Sequence, residues 1–187
     1  VCDGTGPTCP STCDAATDCA AGSVCVSGVC GAGKLAFVTS TFVNGALGGV
    51  AGGDSLCQSL AQGAGLSGTY KAWLASSASS PSSSFTQASV PYVRFDGTIV
   101  ANDWADLVDG SLDAPLDRSE TGAVVSSVVW TGTLASGAVH PALRCGEWTS
   151  ADVATLGIVG DASVASSWAL AFNRTCDTLY PLYCFQQ

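Results

Sequence analysis

Asp54-Ser55-Leu56-Cys57-Gln58-Ser59-Leu60-Ala61-Gln62, followed by Gly63 and Gly65 and then by Thr69-Tyr70-Lys71-Ala72-Trp73-Leu74, is the stretch that decides the fold. In its first part Leu56, Cys57, Leu60 and Ala61 recur at i, i+1, i+4 and i+5, which is one face of a helix, with Asp54 as N-cap and the glycines as stop signals. Cys57 is therefore expected to point inward. The second part reads as a strand. Working outward, Leu35 to Val43 is β-branched and aromatic and predicts another strand, closed by the turn signal Asn44-Gly45. Residues 76 to 84, with Pro81, read as a low-complexity loop. Tyr92-Val93-Arg94-Phe95 and Thr98-Ile99-Val100 flank Asp96-Gly97, a dipeptide suited to a type I′ hairpin because both central residues need positive φ. A short helix is expected from Asp103 to Val108, and strands at Val124 to Trp130, Ser167 to Phe172 and Leu179 to Phe185. Long loops fall between Asp109 and Val124 and between Thr149 and Ser166. The sum is an α+β domain whose loops are candidates for binding or assembly.

Length and composition bound the function. The 187 residues are enough for one fair-sized domain and a small appendage, and 47% hydrophobic content rules out intrinsic disorder. Six Lys+Arg against fifteen Asp+Glu give a formal charge of -9, and the basic residues are scattered singly. Nucleic acid and anionic membrane surfaces are therefore excluded as expected partners. No apolar run approaches the length of a membrane span, and Val1-Cys2-Asp3-Gly4 lacks the regions of a signal peptide, so the chain reads as mature, soluble and not membrane-inserted.

Ten cysteines with one histidine point to an oxidising exterior, hence to a secreted or cell-surface protein. Cys2, Cys9, Cys13, Cys19, Cys25 and Cys30 crowd the first thirty residues, whereas Cys57, Cys145, Cys176 and Cys184 punctuate the rest. That shift marks a boundary at residues 31 to 33, between a module at 1–31 and a domain at 34–187. The module has few large side chains and needs staples in place of a core. Its six cysteines allow fifteen pairings, among which sequence does not choose. Zinc is the competing reading of the cluster, but paired C-x2-C knuckles and a local histidine are lacking. Asp18 to Cys30 resembles short Cys-rich extracellular repeats with a two-stranded hairpin, whose expected roles are spacer, cap or contact surface.

The large domain carries a resemblance as well. Cys57-x7-Gly65-Leu66-Ser67-Gly68-Thr69-Tyr70-Lys71-Ala72-Trp73-Leu74-Ala75-Ser76-Ser77 resembles the helix-to-strand signature of the endostatin family. The likeness continues through Val90-Pro91-Tyr92-Val93, Asp103-Trp104-Ala105-Asp106-Leu107, Val129-Trp130-Thr131-Gly132, Cys145-Gly146-Glu147-Trp148 and Cys176-x7-Cys184, and so covers residues 35 to 187 in order. The same signature is similar to that of secreted bacterial proteins of unknown function. The resemblance implies a C-type-lectin-like fold of two small antiparallel sheets, flanking helices and an extensive loop region. It also implies nested disulfides, Cys57 to Cys184 and Cys145 to Cys176. The ligands of that family do not transfer. His140 is the single histidine, so its zinc site is not expected. Its heparin-binding arginine patch has no equivalent, and the calcium motifs of sugar-binding C-type lectins are missing.

Several side chains are candidates for sites. Asp96, Asp103, Asp106, Asp109, Asp113, Asp117 and Glu120 place seven carboxylates within about twenty-five residues, with Arg118 as the sole cation among them. Asp103, Asp106, Asp109, Asp113 and Asp117 are the calcium candidates, set against the reading of a solvated acidic face. Gly53-Asp54-Ser55-Leu56 spells the G-D-S-L of a lipolytic hydrolase, but His140 lacks the aspartate that family places three residues before its histidine. Trp104, among acidic neighbours, and Glu147 are the ligand-binding candidates, while the other tryptophans are expected in the core. Asn173-Arg174-Thr175 fits a glycosylation acceptor.

The reading is a non-catalytic extracellular binding or adhesion module. Its loops at 102–120 and 133–150 are expected to recognise a glycan or protein, with calcium as a possible organiser. The alternative is a structural subunit of a filament or surface layer, assembled through residues 1 to 31 with copies of itself. Mean hydropathy of +0.36 and many small residues motivate that alternative.

Overall fold

A computed structural model describes residues 12–20 and 22–187; Cys2 and Cys9 lie outside them. The described chain is α+β, built mostly of short strands. A hairpin of β1 (Val24–Val26) and β2 (Val29–Gly31) forms the amino-terminal module with a 3-10 turn at Ala16–Asp18. The body holds a five-stranded sheet in the order β4-β10-β3-β5-β6, from β3 (Lys34–Val38), β4 (Tyr70–Ala72), β5 (Tyr92–Val93), β6 (Ile99–Ala101) and β10 (Tyr183–Gln186). A second sheet of β7 (Val128–Trp130), β8 (Leu156–Asp161) and β9 (Phe172–Thr175) is antiparallel throughout. The larger sheet departs from the expected antiparallel pattern at one place, where β3 runs parallel to β5.

Strands β3 and β10 lie at the centre and are covered on both faces. Leu35, Phe37, Leu182 and Cys184 belong to one apolar cluster, and Ala36, Val38, Tyr183 and Phe185 to another. Burial on both faces explains why Leu35 to Val38 is a continuous apolar run without polar alternation. On the first face lies helix α1 (Val50–Gly63), whose Gly53, Cys57 and Ala61 are buried against the sheet. On the other face Trp73, Trp168, Tyr183 and Phe185 pack ring to ring, with centroids 4.7 to 6.2 Å apart.

Four disulfides are formed by the described residues. Cys57–Cys184 and Cys145–Cys176 are the nested pair that the resemblance implied, and Cys13–Cys25 and Cys19–Cys30 staple the hairpin module. The module is not a free stalk. Ala16 N–H donates to the Phe95 carbonyl and Ser27 N–H to the Gly97 carbonyl, both at 2.8 Å, and Val24 joins the cluster that contains Leu35 and Phe37.

Several elements differ from expectation for identifiable reasons. The first strand of the body stops at Val38, not Val43. Beyond it Leu182 N–H donates to Thr39 Oγ1 and Ser40 N–H to Glu120 Oε2, so side chains interrupt the ladder until Val43 and Tyr180 pair again. Helix α1 begins at Val50 with Gly49 as N-cap, so Asp54 lies inside it. Its carboxylate accepts from Ala72 N–H at 2.8 Å on the edge strand β4. The Asp96-Gly97 hairpin is present, but its turn is a three-residue loop. Arg94 N–H bonds the Thr98 carbonyl, Gly97 N–H bonds the Arg94 carbonyl, and of the dipeptide only Gly97 has positive φ, at 79°. That is a type I turn closed by a left-handed glycine instead of type I′.

The stretch from Thr149 to Ser166 is not one loop, because it contains β8, the central strand of the second sheet. Its two glycines hid it. A β-carbon on Gly157 would lie 2.6 Å from Cys145 Sγ, and one on Gly160 would overlap the Trp168 carbonyl. The strand expected at Ser167 to Phe172 is displaced to β9, since Trp168 and Ala169 fill the core instead of joining a ladder. Residues 76 to 84 hold a one-turn helix, α2 (Pro81–Ser84).

The two body disulfides close segments of 127 and 31 residues. In the chain-entropy view, replacing Cys57 and Cys184 together with alanine lowers stability by about 5 kcal/mol, and replacing Cys145 and Cys176 by about 4 kcal/mol. Denaturant unfolding of the two double variants checks both values and their order.

Candidate functional site

The loops of one face converge on Trp73. This ring is fully buried, and its Nε1 donates to Thr133 Oγ1 at 3.0 Å, which ties the loop at 131–140 to the end of β4. Ser82 N–H donates to the Gly137 carbonyl, so the serine-rich loop joins the same cluster. The helix α3 (Trp104–Leu107) enters from another side. Asp103 caps it by accepting from Asp106 N–H at 3.0 Å, and Trp104 N–H donates to the Ala88 carbonyl. Leu112 N–H donates to the Ala165 carbonyl and brings in the segment before Trp168. Of the five tryptophans, Trp73, Trp130, Trp148 and Trp168 are fully buried, whereas Trp104 is half-buried. Its ring rests on Trp73 and Phe85, with centroids 6.0 and 6.4 Å away.

The five calcium candidates fall into separate hydrogen-bonded groups. Asp103 is engaged as a cap. Asp106 accepts from Asn102 N–H at 2.6 Å and from its Nδ2 at 3.0 Å, and Asp113 accepts from the same Nδ2 at 2.8 Å. Asp109 accepts from Ser111 N–H. Asp117 belongs to another cluster, 2.8 Å from Arg94 and 3.0 Å from Arg118, and Asp96 completes it at 2.9 and 3.2 Å from the same two arginines. Arg118 is thus not the only cation near the acidic run, because folding adds Arg94. Among the described residues, the one group that brings three metal-ligating atoms together is Cys13, Cys19 and Cys30. Local amides hold Asp103, Asp106, Asp109 and Asp113, and arginines hold Asp117.

Glu147 lies in the most strained segment of the chain. Cys145, Gly146, Glu147 and Trp148 have φ of 49°, 58°, 61° and 63°, a single left-handed turn with three non-glycine residues. Such a conformation costs roughly 1–2 kcal/mol per non-glycine residue, so the surroundings must hold it. Cys145 is bonded to Cys176. Trp148 is fully buried and its Nε1 donates to the Ala75 carbonyl at 2.7 Å. The Trp148 carbonyl accepts from Leu47, Gly48 and Gly49 N–H at 2.9, 3.1 and 3.0 Å, three successive amides forming a nest. Glu147 bonds Arg144 Nη2 at 2.6 Å and accepts from Ser77 N–H at 2.6 Å. Arg144 is the main reason that its carboxyl titrates below the ordinary glutamate range. Sequence offers Gly146 as the single hint of this turn.

The hydrolase-like tetrapeptide is explained by packing. Ser55 Oγ donates to the Ala51 carbonyl one turn earlier in α1, while a β-carbon on Gly53 would meet Leu74 Cδ1 at 2.6 Å. His140 Nδ1 accepts from Ala142 and Leu143 N–H, and no hydrogen bond joins it to Ser55. Burial, aided by Arg144, lowers the imidazole pKa. Asn173 is exposed on β9, and Arg174 lies 4.0 Å from the centre of the Phe172 ring. A shallow groove of about 410 Å³ is lined by Val43, Asn44, Ala46, Leu47, Leu56 and Leu179.

Fold and site together define a disulfide-stapled α+β domain with a small Cys-rich module docked on it. No described helix is long and apolar enough to cross a membrane, and four disulfides are consistent with an oxidising environment. The chain belongs to the family described as protein of unknown function DUF1554, whose model matches residues 40–165. No curated protein matches it.

Two outcomes test this electrostatic and conformational account. Glu147→Gly and Glu147→Ala both lose the bonds to Arg144 and Ser77, but only glycine relieves the left-handed backbone. Glu147→Gly is therefore expected to be the more stable of the two by about 1 kcal/mol, measured by thermal unfolding. Asp54 behaves differently. Burial raises its carboxyl pKa, against the opposing bond from Ala72 N–H and the charge of Lys71. A raised value means that the folded state binds the proton more tightly than the unfolded chain, so the protonated form favours folding and this contribution fades as pH rises through the folded pKa. Asp54→Asn is expected to be modestly more stable than the parent at neutral pH, with the difference vanishing below the ordinary aspartate value of 3.8. Unfolding midpoints across pH check this.

Proposed function

We propose that this chain is a non-catalytic, secreted recognition module of C-type-lectin-like fold that binds a neutral glycan over Trp104. The observation that carries the reading is the partial exposure of this one tryptophan, backed by Trp73 and Phe85 where four loops meet. Sugar rings present C–H faces that stack on indole, and the neighbouring Asn102, Asp103, Asp106 and Asp113 offer oxygen acceptors for hydroxyls. The formal charge of -9 disfavours sulfated or otherwise anionic polymers. The C-type-lectin-like part of the reading draws on the pairing of the first and last strands of the body, β3 with β10, and on the nested Cys57–Cys184 and Cys145–Cys176 bridges. The non-catalytic part rests on Ser55 being held within its own helix, unlinked to His140.

The alternative of a filament or surface-layer subunit draws on Val29, which is 53% exposed on β2. It is the weaker reading, since the module already uses one face to dock on the body's β5–β6 turn at Phe95 and Gly97.

A neutral-oligosaccharide array decides between them. Trp104→Ala is expected to weaken glycan binding about tenfold, equivalent to about 1.4 kcal/mol, with circular dichroism confirming that the core beneath remains folded. A blank array, or unchanged binding by a folded Trp104→Ala, removes the proposal.

A further inference from the structure

The amino-terminal module contains a sulfur cluster with a geometry beyond what two separate staples require. Cys13, Cys19 and Cys30 come from three different places in the module, yet their sulfurs all lie within 4.8 Å of one another. Cys25, bonded to Cys13, is the fourth member. The two disulfides are therefore neighbours, and four sulfurs share one small volume. In a tetrahedral site with metal–sulfur distances of about 2.3 Å, adjacent sulfurs are roughly 3.8 Å apart. Within the bridges the sulfurs are 2.17 and 2.02 Å apart and separate toward that spacing on reduction, while those of Cys13, Cys19 and Cys30 already lie within 4.8 Å of one another.

The backbone around the cluster is held by bonds that do not involve sulfur. Cys25 and Cys30 face each other across the β1–β2 pair. Cys13 N–H donates to the Gly28 carbonyl at 3.0 Å, and Thr12 bridges to Val29. Asp18 Oδ2 accepts from Asp14 and Ala15 N–H at 2.9 Å each, which fixes the turn leading into Cys19. Two further bonds, from Ala16 to Phe95 and from Ser27 to Gly97, clamp the module to the body. Accessibility also separates this cluster from the other bridges. Cys57, Cys145, Cys176 and Cys184 are all 0% exposed, whereas Cys13 and Cys19 are 6% and 8% exposed and Cys30 more so; Cys25, at 1%, is the buried member.

We propose that the module is a redox-gated metal site: on reduction, Cys13, Cys19, Cys25 and Cys30 bind one zinc ion as a tetrathiolate. The chemistry balances with an external dithiol or phosphine as reductant. Each disulfide takes up two electrons and two protons, so two bridges yield four thiols, and zinc then displaces the four thiol protons as four Zn–S bonds form. A module without a substantial apolar core is then held by its two disulfides when oxidised and by the metal when reduced and zinc-bound. This inference is independent of glycan binding at Trp104.

The test uses the full chain carrying Cys2→Ser and Cys9→Ser, so that those two positions cannot supply sulfur. It is reduced anaerobically with a phosphine under conditions that leave the buried body bridges intact, as verified by alkylation and peptide mass mapping. Reductant is removed and Co²⁺ is titrated as the spectroscopic probe. The expected result is one Co²⁺ per chain, with a thiolate-to-metal charge-transfer band and the intense visible bands of tetrahedral cobalt, both lost on adding one equivalent of Zn²⁺. Zinc is also expected to protect the four module cysteines from alkylation. Cys19→Ser/Cys30→Ser removes two donors and should reduce Co²⁺ affinity at least a hundredfold while the body stays folded. Absence of the tetrahedral bands, a stoichiometry other than one, or full binding by Cys19→Ser/Cys30→Ser overturns the proposal.

Discussion

The bond between Cys57 and Cys184 is the constraint around which the rest of this molecule is arranged. It joins the inner face of α1 to the last strand, which itself lies between the first strand of the body and β4. Both sulfurs are buried in the same apolar cluster as Leu35, Phe37 and Ala72. Because β3 and β10 are covered on both faces, fixing the helix on one side leaves the aromatic cluster to fill the other. The loops that meet over Trp73 are positioned by that second layer.

The inner bridge does different work. Cys145 opens the left-handed turn, and the turn survives because its ends are anchored: sulfur to Cys176 at one end, the Trp148 indole and carbonyl at the other. The nest of Leu47, Gly48 and Gly49 amides around a single carbonyl gives the loop before α1 a fixed partner. Strain at residues 145–148 and order at residues 47–49 are therefore two sides of one contact. The same reasoning gives Glu147 a positioning task, bridging Arg144 and the Ser77 amide.

Charge is organised in the same local manner. Arg94, 24 residues ahead of Arg118, reaches Asp96 and Asp117 with it and so ties the β5–β6 hairpin to the later loop. Burial pushes the Asp96 carboxyl up, but the hydrogen bonds from Arg94 and Thr98 outweigh it and leave the group below its usual value. Its contribution to stability is present at neutral pH and is lost as pH falls through that lowered value. A carboxylate count cannot reveal this division, because sequence shows how many acids a segment has and not which amide or guanidinium each one meets.

The sequence by itself determined the class of the fold and its chemical setting. Period and composition marked α1, the inward Cys57, β4, α3 and the hairpin at Asp96-Gly97, since these depend on contacts between near neighbours. Cysteine density likewise marked the stapled module, because a segment with so few large side chains has no other means of order. Tertiary structure decided what depends on approach from afar. Gly157 and Gly160 look like strand breakers until Cys145, Trp130 and Trp168 are seen to occupy the space where β-carbons would stand. Asp54 looks like a cap until β4 presents the Ala72 amide to it. The acidic run looks like one group until Asn102 gathers Asp106 and Asp113 while Arg94 and Arg118 take Asp117. For the glycines of β8, Asp54 and Asp117 the deciding distance is between residues apart in the chain, and local pattern holds no information about such distances.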